Sequence, residues 1–522
     1  MEENKLKVLI TTSGVGSRLG NITTYINKSL VKLGDKPIIS HIIDTYPDAD
    51  FVITLGHYGD YVKEYLTLAY PDRNFDFVYV NPYEGEGSGL IKSISFAKEN
   101  LQCPFIFHVC DTILNETPPT PTFNWMSNIQ TSDADLFRTI RAEGGLVTKI
   151  NEKGEINYDY GYIGVAGIYD YKLFWDTVDD IMGTNQPSDS SDCHIFMEML
   201  NEVDIHTWKV SKWFDTGNVN HLSIAKSNYP PKYNVLEKSN ESIYFIDNSV
   251  IKFFGDEKIC DNRVKRAQLL DGLVPKLEGY TRNFYKYEHA KGDLLADGVT
   301  DEKIVKLIEW AEDNLWTPIL TDDYEFENKC RQFYITKTKK RIKQFLENNN
   351  LKDGEDTIND VLVPSCETML NMIDWDRICN TESVRFHGDF ILDNILYNDD
   401  QFILLDWRQD FGGDIRAGDK YYDLSKLNHN LVLNHHILSE GHFFLNKLKD
   451  NIQCDVYRSH NLATAQQALI STLEIKGIDT YKINILTPLI WLNMSPLHSY
   501  PLNNFLFYFG KYNLWKQIKN MG

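Results

Sequence analysis

The stretch that most restricts how this chain can fold is residues 386–407, FHGDFILDNILYNDDQFILLDW. Asp389 is followed five residues later by Asn394, and Asp406 comes twelve positions after that. His387-Gly388 stands before the first acid, and the apolar run Phe402-Ile403-Leu404-Leu405 before the last. The pattern predicts a tight loop, a short strand, a turn at Asn398-Asp399-Asp400 and a second strand. Such a hairpin gathers three oxygen-bearing side chains at one end of a lobe. Phosphoryl transfer uses that set: an acid to orient a hydroxyl, and an amide with a carboxylate to hold Mg2+.

The 522 residues allow two or three domains, and 42% apolar content with 13% aromatics is ample for their cores. The net charge of −21 argues against a general nucleic-acid or membrane-surface binder, while leaving room for a local basic pocket. Eight scattered cysteines form no C-x-x-C pair, so reduced structural thiols are expected rather than a zinc ribbon or a disulfide framework. MEENK runs straight into a strand, and no apolar run approaches membrane-spanning length. No signal peptide, no membrane insertion and a cytoplasmic location are therefore expected.

The first half alternates strand and helix. Strands are expected over 7–10, 51–55, 75–81 and 104–111, with helices over 37–44, 60–69 and 89–99. This order predicts a largely parallel sheet with helices on its faces. After the first strand, residues 11–30 read TTSGVGSRLGNITTYINKSL. Gly14 and Gly16 let the backbone turn closely around a phosphate, and Arg18 and Lys28 bring positive charge to it. The dinucleotide pattern G-x-G-x-x-G fails, because Leu19 occupies its last position. The segment instead resembles the G-x-G-x-R-L…T…P-K-x-L signature of sugar-phosphate and choline-phosphate nucleotidyltransferases, with Asn27 where proline is usual.

That resemblance implies further residues. Ser17 would join Gly14 and Gly16 in holding the nucleotide. The second glycine-rich turn, EGEGSGL at 84–90, would lie against base and substrate through Gly87 and Ser88. Asp111, closing the strand PFIFHVCD, and Asp215, in WFDTG, would hold Mg2+ together. Lys153, in KINEK, would meet the substrate phosphate, although Gly154 stands where proline usually follows.

Pro230-Pro231 and the polar run around them mark a linker. Two β-like runs follow, 242–246 and 249–254, turning at Asp247-Asn248. Lys252 lies in the second. With His387-Gly388-Asp389, Asn394 and Asp406-Trp407, this half resembles the aminoglycoside phosphotransferase and choline kinase family. Lys252 would then grip the donor phosphates, and Asn394 and Asp406 would hold Mg2+. The family's helical glutamate partner for that lysine is missing from 262–272, and Glu257 is the nearest substitute. Asp423 would buttress the catalytic loop. The basic run 337–341 reads as a solvated helix face, and the aromatic-rich 486–514 as helical core whose ring faces could hold a cation.

The expected fold class is α/β. A Rossmann-like nucleotidyltransferase domain covers 1–228, a linker 229–240, and a protein-kinase-like two-lobed α+β domain 241–522. Its small lobe spans about 241–293 and its large lobe about 294–522. The expected function is bifunctional. ATP phosphorylates a small alcohol or sugar at Asp389. A second NTP, with CTP one candidate, then gives its nucleotidyl group to the new phosphate at Arg18 and Lys28. The product would be an activated precursor for surface or capsular polysaccharide. A sugar kinase fused to a sugar-1-phosphate nucleotidyltransferase, and a silent nucleotide-binding sensor, remain open alternatives. Mg2+ is the expected cofactor, no nucleic-acid partner is expected, and homo-oligomerisation is left open.

Overall fold

The apolar run after Leu6 forms the strand Lys7–Thr11, at the heart of a nine-stranded sheet. Its alternation serves two faces: Val8 and Ile10 enter one apolar cluster and Leu9 the other. Both faces are thus covered, as a parallel sheet requires. Parallel partners flank it, Asp50–Leu55 on one side and Phe105–Val109 on the other, and Phe75–Tyr79 extends the first side. In chain order these four strands run 3-2-1-4 across the sheet. The order in which strands are added therefore reverses between Lys7–Thr11 and Phe105–Val109, and the connections leaving their carboxyl ends part to open a crevice. Mixed pairings continue beyond, beginning with Tyr160–Ile168 antiparallel to Phe105–Val109 and including one parallel pair, His206–Lys209 with Trp125–Ile129. The protein is mixed α/β.

This computed structural model describes residues 5–131, 135, 137–183, 191–233 and 240–520; positions 234–239 of the expected linker lie outside them. The chain forms two units, Met1–Glu257 with Glu278–Tyr287, and Lys258–Leu277 with Glu288–Gly522. The hairpin of Glu241–Ile246 and Ser249–Phe254 turns at Asp247 as expected. Its packing differs from the expected division, which gave it to the downstream domain. Tyr244, Ile251 and Phe253 share the core cluster of Val8 and Ile10. The Tyr61 and Phe253 rings lie 5.0 Å apart, and Tyr244 donates its hydroxyl to the Leu30 carbonyl at 2.7 Å. Prolines mark where a chain turns but not which core receives the next apolar face.

In the second unit, residues 301–380 are helix-rich, as composition suggests. The expected hairpin is Ile395–Asn398 with Gln401–Leu404, and Asp399 and Asp400 both take positive φ, as a tight two-residue turn demands. The aromatic C-terminal run forms Thr480–Met494 and Leu502–Lys519, both largely buried. The sequence gives no warning of the four-stranded sheet built from Val361–Val363, Asp356–Ile358, Ile452–Val456 and Phe443–Lys447. Those strands are short and carry Asn, Asp, Gln and Lys, so no period-2 signal rises above the turns around them. Among the described residues, no helix is long and apolar enough to cross a membrane.

Buried histidines give the fold an acid sensitivity. His108 is fully buried, accepts from the Tyr46 hydroxyl at Nδ1 (2.8 Å) and bonds the Thr112 carbonyl through Nε2 (2.9 Å). Burial pushes its pKa down to about 4, from an ordinary 6.5. The folded state therefore holds it neutral. Its contribution is complete above pH 6.5 and is lost as the pH falls from 6.5 through 4. The gap corresponds to on the order of 3 kcal/mol. The urea midpoint is expected to drop between pH 7 and pH 5; a flat midpoint over that interval would contradict the buried neutral imidazole.

Candidate active sites

The first site sits at the carboxyl ends of the paired strands Lys7–Thr11 and Phe105–Val109. Gly16 has φ of 74°, and a Cβ there would press on Thr23 and Lys28 at 3.1 Å, so the loop can close only on glycine. Asn27, the residue in the proline's place, is fully buried and locks the loop. Its amide nitrogen donates to the Thr12 carbonyl at 2.8 Å and the His57 carbonyl at 2.6 Å, while its oxygen caps the Ser29 N–H at 2.9 Å. Lys28 is held at the start of that cap. Asn27→Ala strands all three partners and is expected to cost roughly 2–4 kcal/mol in urea unfolding; a loss below about 0.5 kcal/mol would show that the loop does not depend on the cap.

Asp111 follows the strand Phe105–Val109, and Asp215 ends Trp213–Asp215. Antiparallel pairing sets Asp215 opposite Thr112, and Thr216 donates its N–H to the Asp111 carbonyl at 2.8 Å. The two acids converge over Gly217. A Cβ at that glycine would lie 3.0 Å from Asp111 Oδ2, 3.0 Å from Asp215 Oδ1 and 3.2 Å from Arg18 Nη2. The two carboxylate oxygens are thus no further apart than twice that distance. Lys28 Nζ lies 3.2 Å from Asp111 and Arg18 Nη2 3.8 Å. Burial works to raise the Asp111 pKa, but Lys28 and Arg18 outweigh it and hold the carboxyl below its usual range. Burial likewise works against the Lys28 charge, and Asp111 more than restores it. His221 Nδ1 closes on Asp215 Oδ2, and the Gly217 N–H donates to Asp215 Oδ1 at 2.7 Å.

The remaining expected residues of this half are placed less directly. Gly14 and Ser17 flank Gly16 in the same loop. Ser13 Oγ shares a 2.6 Å hydrogen bond with Ser93, in the helix Leu90–Ser95 that follows the second glycine turn. Gly87 has positive φ there, and Ser88 turns both its N–H and its hydroxyl onto the Gly85 carbonyl. Lys153 is exposed in the turn after Leu146–Asn151. Among the described residues no ion pair joins it to Asp111 or Asp215. Lys252 lies in the first unit, on Ser249–Phe254, with only 4% of its surface exposed.

The second site lies within the second unit. His387 is buried, and burial pushes its pKa down to about 4, so it is neutral. It bonds the Leu405 carbonyl through Nε2 at 2.9 Å and accepts the Asp389 N–H at Nδ1 at 3.2 Å. This ties the loop to the strand end. Asp423 takes the N–H groups of His387 (2.8 Å) and Gly388 (2.6 Å) and the Trp316 indole N–H (3.1 Å). Burial still raises its pKa to about 6 against those bonds. Asn394 Nδ2 donates to the Asp389 carbonyl at 3.0 Å and to Oδ2 at 3.1 Å, leaving its own Oδ1 to offer a cation. The Leu405 N–H donates to the Asn394 carbonyl at 2.7 Å, which sets Asp406 beside it. Asp406 itself takes a left-handed φ of 51° and is in an ion pair with Arg263. A cation at Asp406 would share that carboxylate with Arg263. Lys426 Nζ lies 2.7 Å from Asp389 Oδ1. Burial works to raise the Asp389 pKa, but Lys426 outweighs it and keeps the acid ionised.

Among the described residues no group of three or more His, Cys, Asp or Glu is arranged around a metal position. Paired oxygens of this kind suit Mg2+ completed by water and substrate phosphates, not an all-protein cage.

No family model matches this sequence. A stretch of 64 residues is 36% identical to a probable glucose-1-phosphate cytidylyltransferase of Bacillus subtilis, covering 12% of this chain and 25% of that protein. The glucose-1-phosphate cytidylyltransferase of Salmonella typhimurium is 38% identical over 64 residues, with the same coverage of 12% and 25%. The chain thus spans about a quarter of the length of the curated relatives it matches. Among solved structures, the CTP:phosphocholine cytidylyltransferase of Streptococcus pneumoniae aligns with a TM-score of 0.37 at 17% identity, covering 43% of this chain and 99% of that one. The N-terminal region resembles the sugar-1-phosphate nucleotidyltransferases.

Three site residues escaped the sequence reading. His221 is three residues past Asn218, which caps the helix Val219–Asn228, and that cap aims it back toward Asp215. Lys426 is one helical turn beyond Asp423, a spacing that puts both on one face. Arg263 lies on the helix Glu257–Leu269, 143 positions before Asp406, so no local pattern links the two. That helix starts at Glu257, earlier than the expected 262, so Glu257 is part of its first turn.

Proposed function

We propose that the protein makes a nucleotide-activated sugar or polyol in two transfers, one in each unit. The carrying observation is the convergence of Asp111, Asp215 and Arg18 over Gly217 at the switch point of the parallel sheet. Arg18 and Lys28 offset the charge of a bound triphosphate while a substrate phosphate attacks the α-phosphorus and pyrophosphate leaves. Asp111 and Asp215 would hold Mg2+, which supplies charge neutralisation at the phosphates. The names of the two curated relatives favour CTP as donor and a sugar phosphate as acceptor.

In the second unit the proposed reaction is phosphorylation of an alcohol by ATP. Asp389 orients the hydroxyl and accepts its proton, and Lys426 keeps that carboxylate ionised beforehand. Asn394 and Asp406 would hold Mg2+ at the donor phosphates. The reading rests on the Asp389-Asn394-Asp406 set and its hydrogen bonds. A phosphorylated product from one site suits the acceptor of the other. The test incubates full-length protein with ATP, each of the four NTPs, Mg2+ and a panel of sugars, polyols and choline, and reads products by mass spectrometry. Expected are a phosphorylated acceptor and its nucleotide diphospho-derivative. Nucleotide binding without turnover over the whole panel would favour a sensor instead.

A further inference from the structure

Beside Asp389 the second unit carries a concentration of positive charge that the chemistry above does not use. Helix Asp323–Arg331 passes through a π-turn, Gln332–Thr336, into Lys337–Asn348. Such wide turns re-aim side chains and recur at functional sites. Here the turn sets Phe333 inward and places Lys337 and Arg341, four apart, on one face. Lys337 Nζ lies 4.1 Å from the Phe333 ring centre and the Arg408 guanidinium 5.3 Å from the same centre. Arg408 is packed onto the catalytic loop: a Cβ at Gly388 would meet its Cβ at 2.6 Å, and its N–H donates to the His387 carbonyl at 3.0 Å. Lys426, already paired with Asp389, borders the group.

The run 337–341 is therefore only partly the solvated face it resembles. Lys339 and Lys340 are exposed, but Lys337 and Arg341 are half-buried. Among the described residues, Lys337, Arg341 and Arg408 make no ion pair with a carboxylate, although the chain carries 74 acids. Arg341 bonds the Gln344 side chain and Arg408 the Asp410 carbonyl, both neutral acceptors. Burial, with Arg408, Arg341 and Lys426 nearby, pushes the Lys337 pKa down to about 6 against the pull of Asp410, so in the free protein this amine is largely neutral and a bound anion would recharge it. Unpaired, half-buried cations are costly unless a ligand supplies the counter-charge.

We propose that the molecule bound beside Asp389 is a small hydroxylated oxyanion, a phosphate monoester or a carboxylate, whose anionic group is held by Lys337, Arg341 and Arg408. This rests on the phosphotransferase reading and narrows it, since a choline-type cation would meet like charge. The acceptor hydroxyl oxygen bonds to the γ-phosphorus of ATP, the bond from that phosphorus to the bridging oxygen of ADP breaks, and the hydroxyl proton passes to Asp389.

The test titrates full-length protein by calorimetry, at fixed ionic strength, with glucose 6-phosphate, glucuronate, glucose and choline chloride. At least one of the first two is expected to bind at least tenfold tighter than glucose or choline, and their ranking separates phosphate from carboxylate. The double variant Lys337→Met/Arg341→Met should lose that tenfold preference while its melting temperature stays within a few degrees. Choline or glucose binding as tightly as both oxyanions, or a preference unchanged in a folded double variant, overturns the proposal. If the double variant unfolds, Arg408→Met replaces it with the same criteria. ATP turnover is read separately: oxyanion binding without phosphoryl transfer sinks the phosphotransferase reading and leaves the anion site standing.

Discussion

Asp215→Ala is expected to lower nucleotidyl transfer by about 10³-fold and leave ATP-dependent phosphorylation unchanged. The reason is local. Asp215 and Asp111 aim at one point over Gly217, so losing Asp215 removes one of the two carboxylates proposed to meet a divalent ion there. Removing Asp215 also frees His221 and the Gly217 N–H, which at present are turned inward by it. Asp111 then faces Lys28 and Arg18 alone, and the pocket gains net positive charge. Nucleotide would still bind, so the deficit belongs in kcat more than in KM. The measurement is pyrophosphate release in parallel with ADP release on the same preparation. A matching fall in both rates, with the fold intact by circular dichroism, would count against two independent centres.

Asp389→Asn should have the converse effect: ATP-dependent phosphorylation falls by about 10²- to 10⁴-fold and nucleotidyl transfer persists. The amide has nearly the same shape and can keep the contact with Asn394, but it cannot take a proton. It also leaves Lys426 facing a neutral group, whereas the carboxylate now raises that lysine's pKa against its burial. The KM for ATP is expected to change little, because Asp389 is assigned to the hydroxyl and not to the donor. Single-turnover phosphorylation followed by product analysis decides the matter. Wild-type rates in the variant would remove Asp389 from the chemistry.

Much of this was legible from residues alone, for reasons that differ by element. The parallel strands announce themselves because both faces are buried, so Val8, Leu9 and Ile10 form an unbroken apolar run. The hairpin around Asp399-Asp400 is readable because its turn chemistry is local. Asp111 and Asp215 could be paired only through resemblance, since 104 positions separate them and no periodicity links them. Long-range charge partners were not legible. Arg263 meets Asp406 across 143 positions, and Lys426 meets Asp389 from another helix. Nor does a basic run disclose which of its members turn inward; that depends on a π-turn one residue earlier, which has no sequence signature of its own.

The order in which the two units claim the chain has a practical side. Residues up to Glu257 belong to the first, Lys258–Leu277 to the second, Glu278–Tyr287 to the first again, and the rest to the second. No single scission yields two complete pieces. A clone begun at 240 would carry the strands bearing Tyr244, Ile251 and Phe253 without the helix bearing Tyr61 and Tyr65, and one ended at 233 would bare the opposite apolar face. Each unit is thus encoded by two separated stretches of the chain, and cutting between halves divides a core rather than a linker.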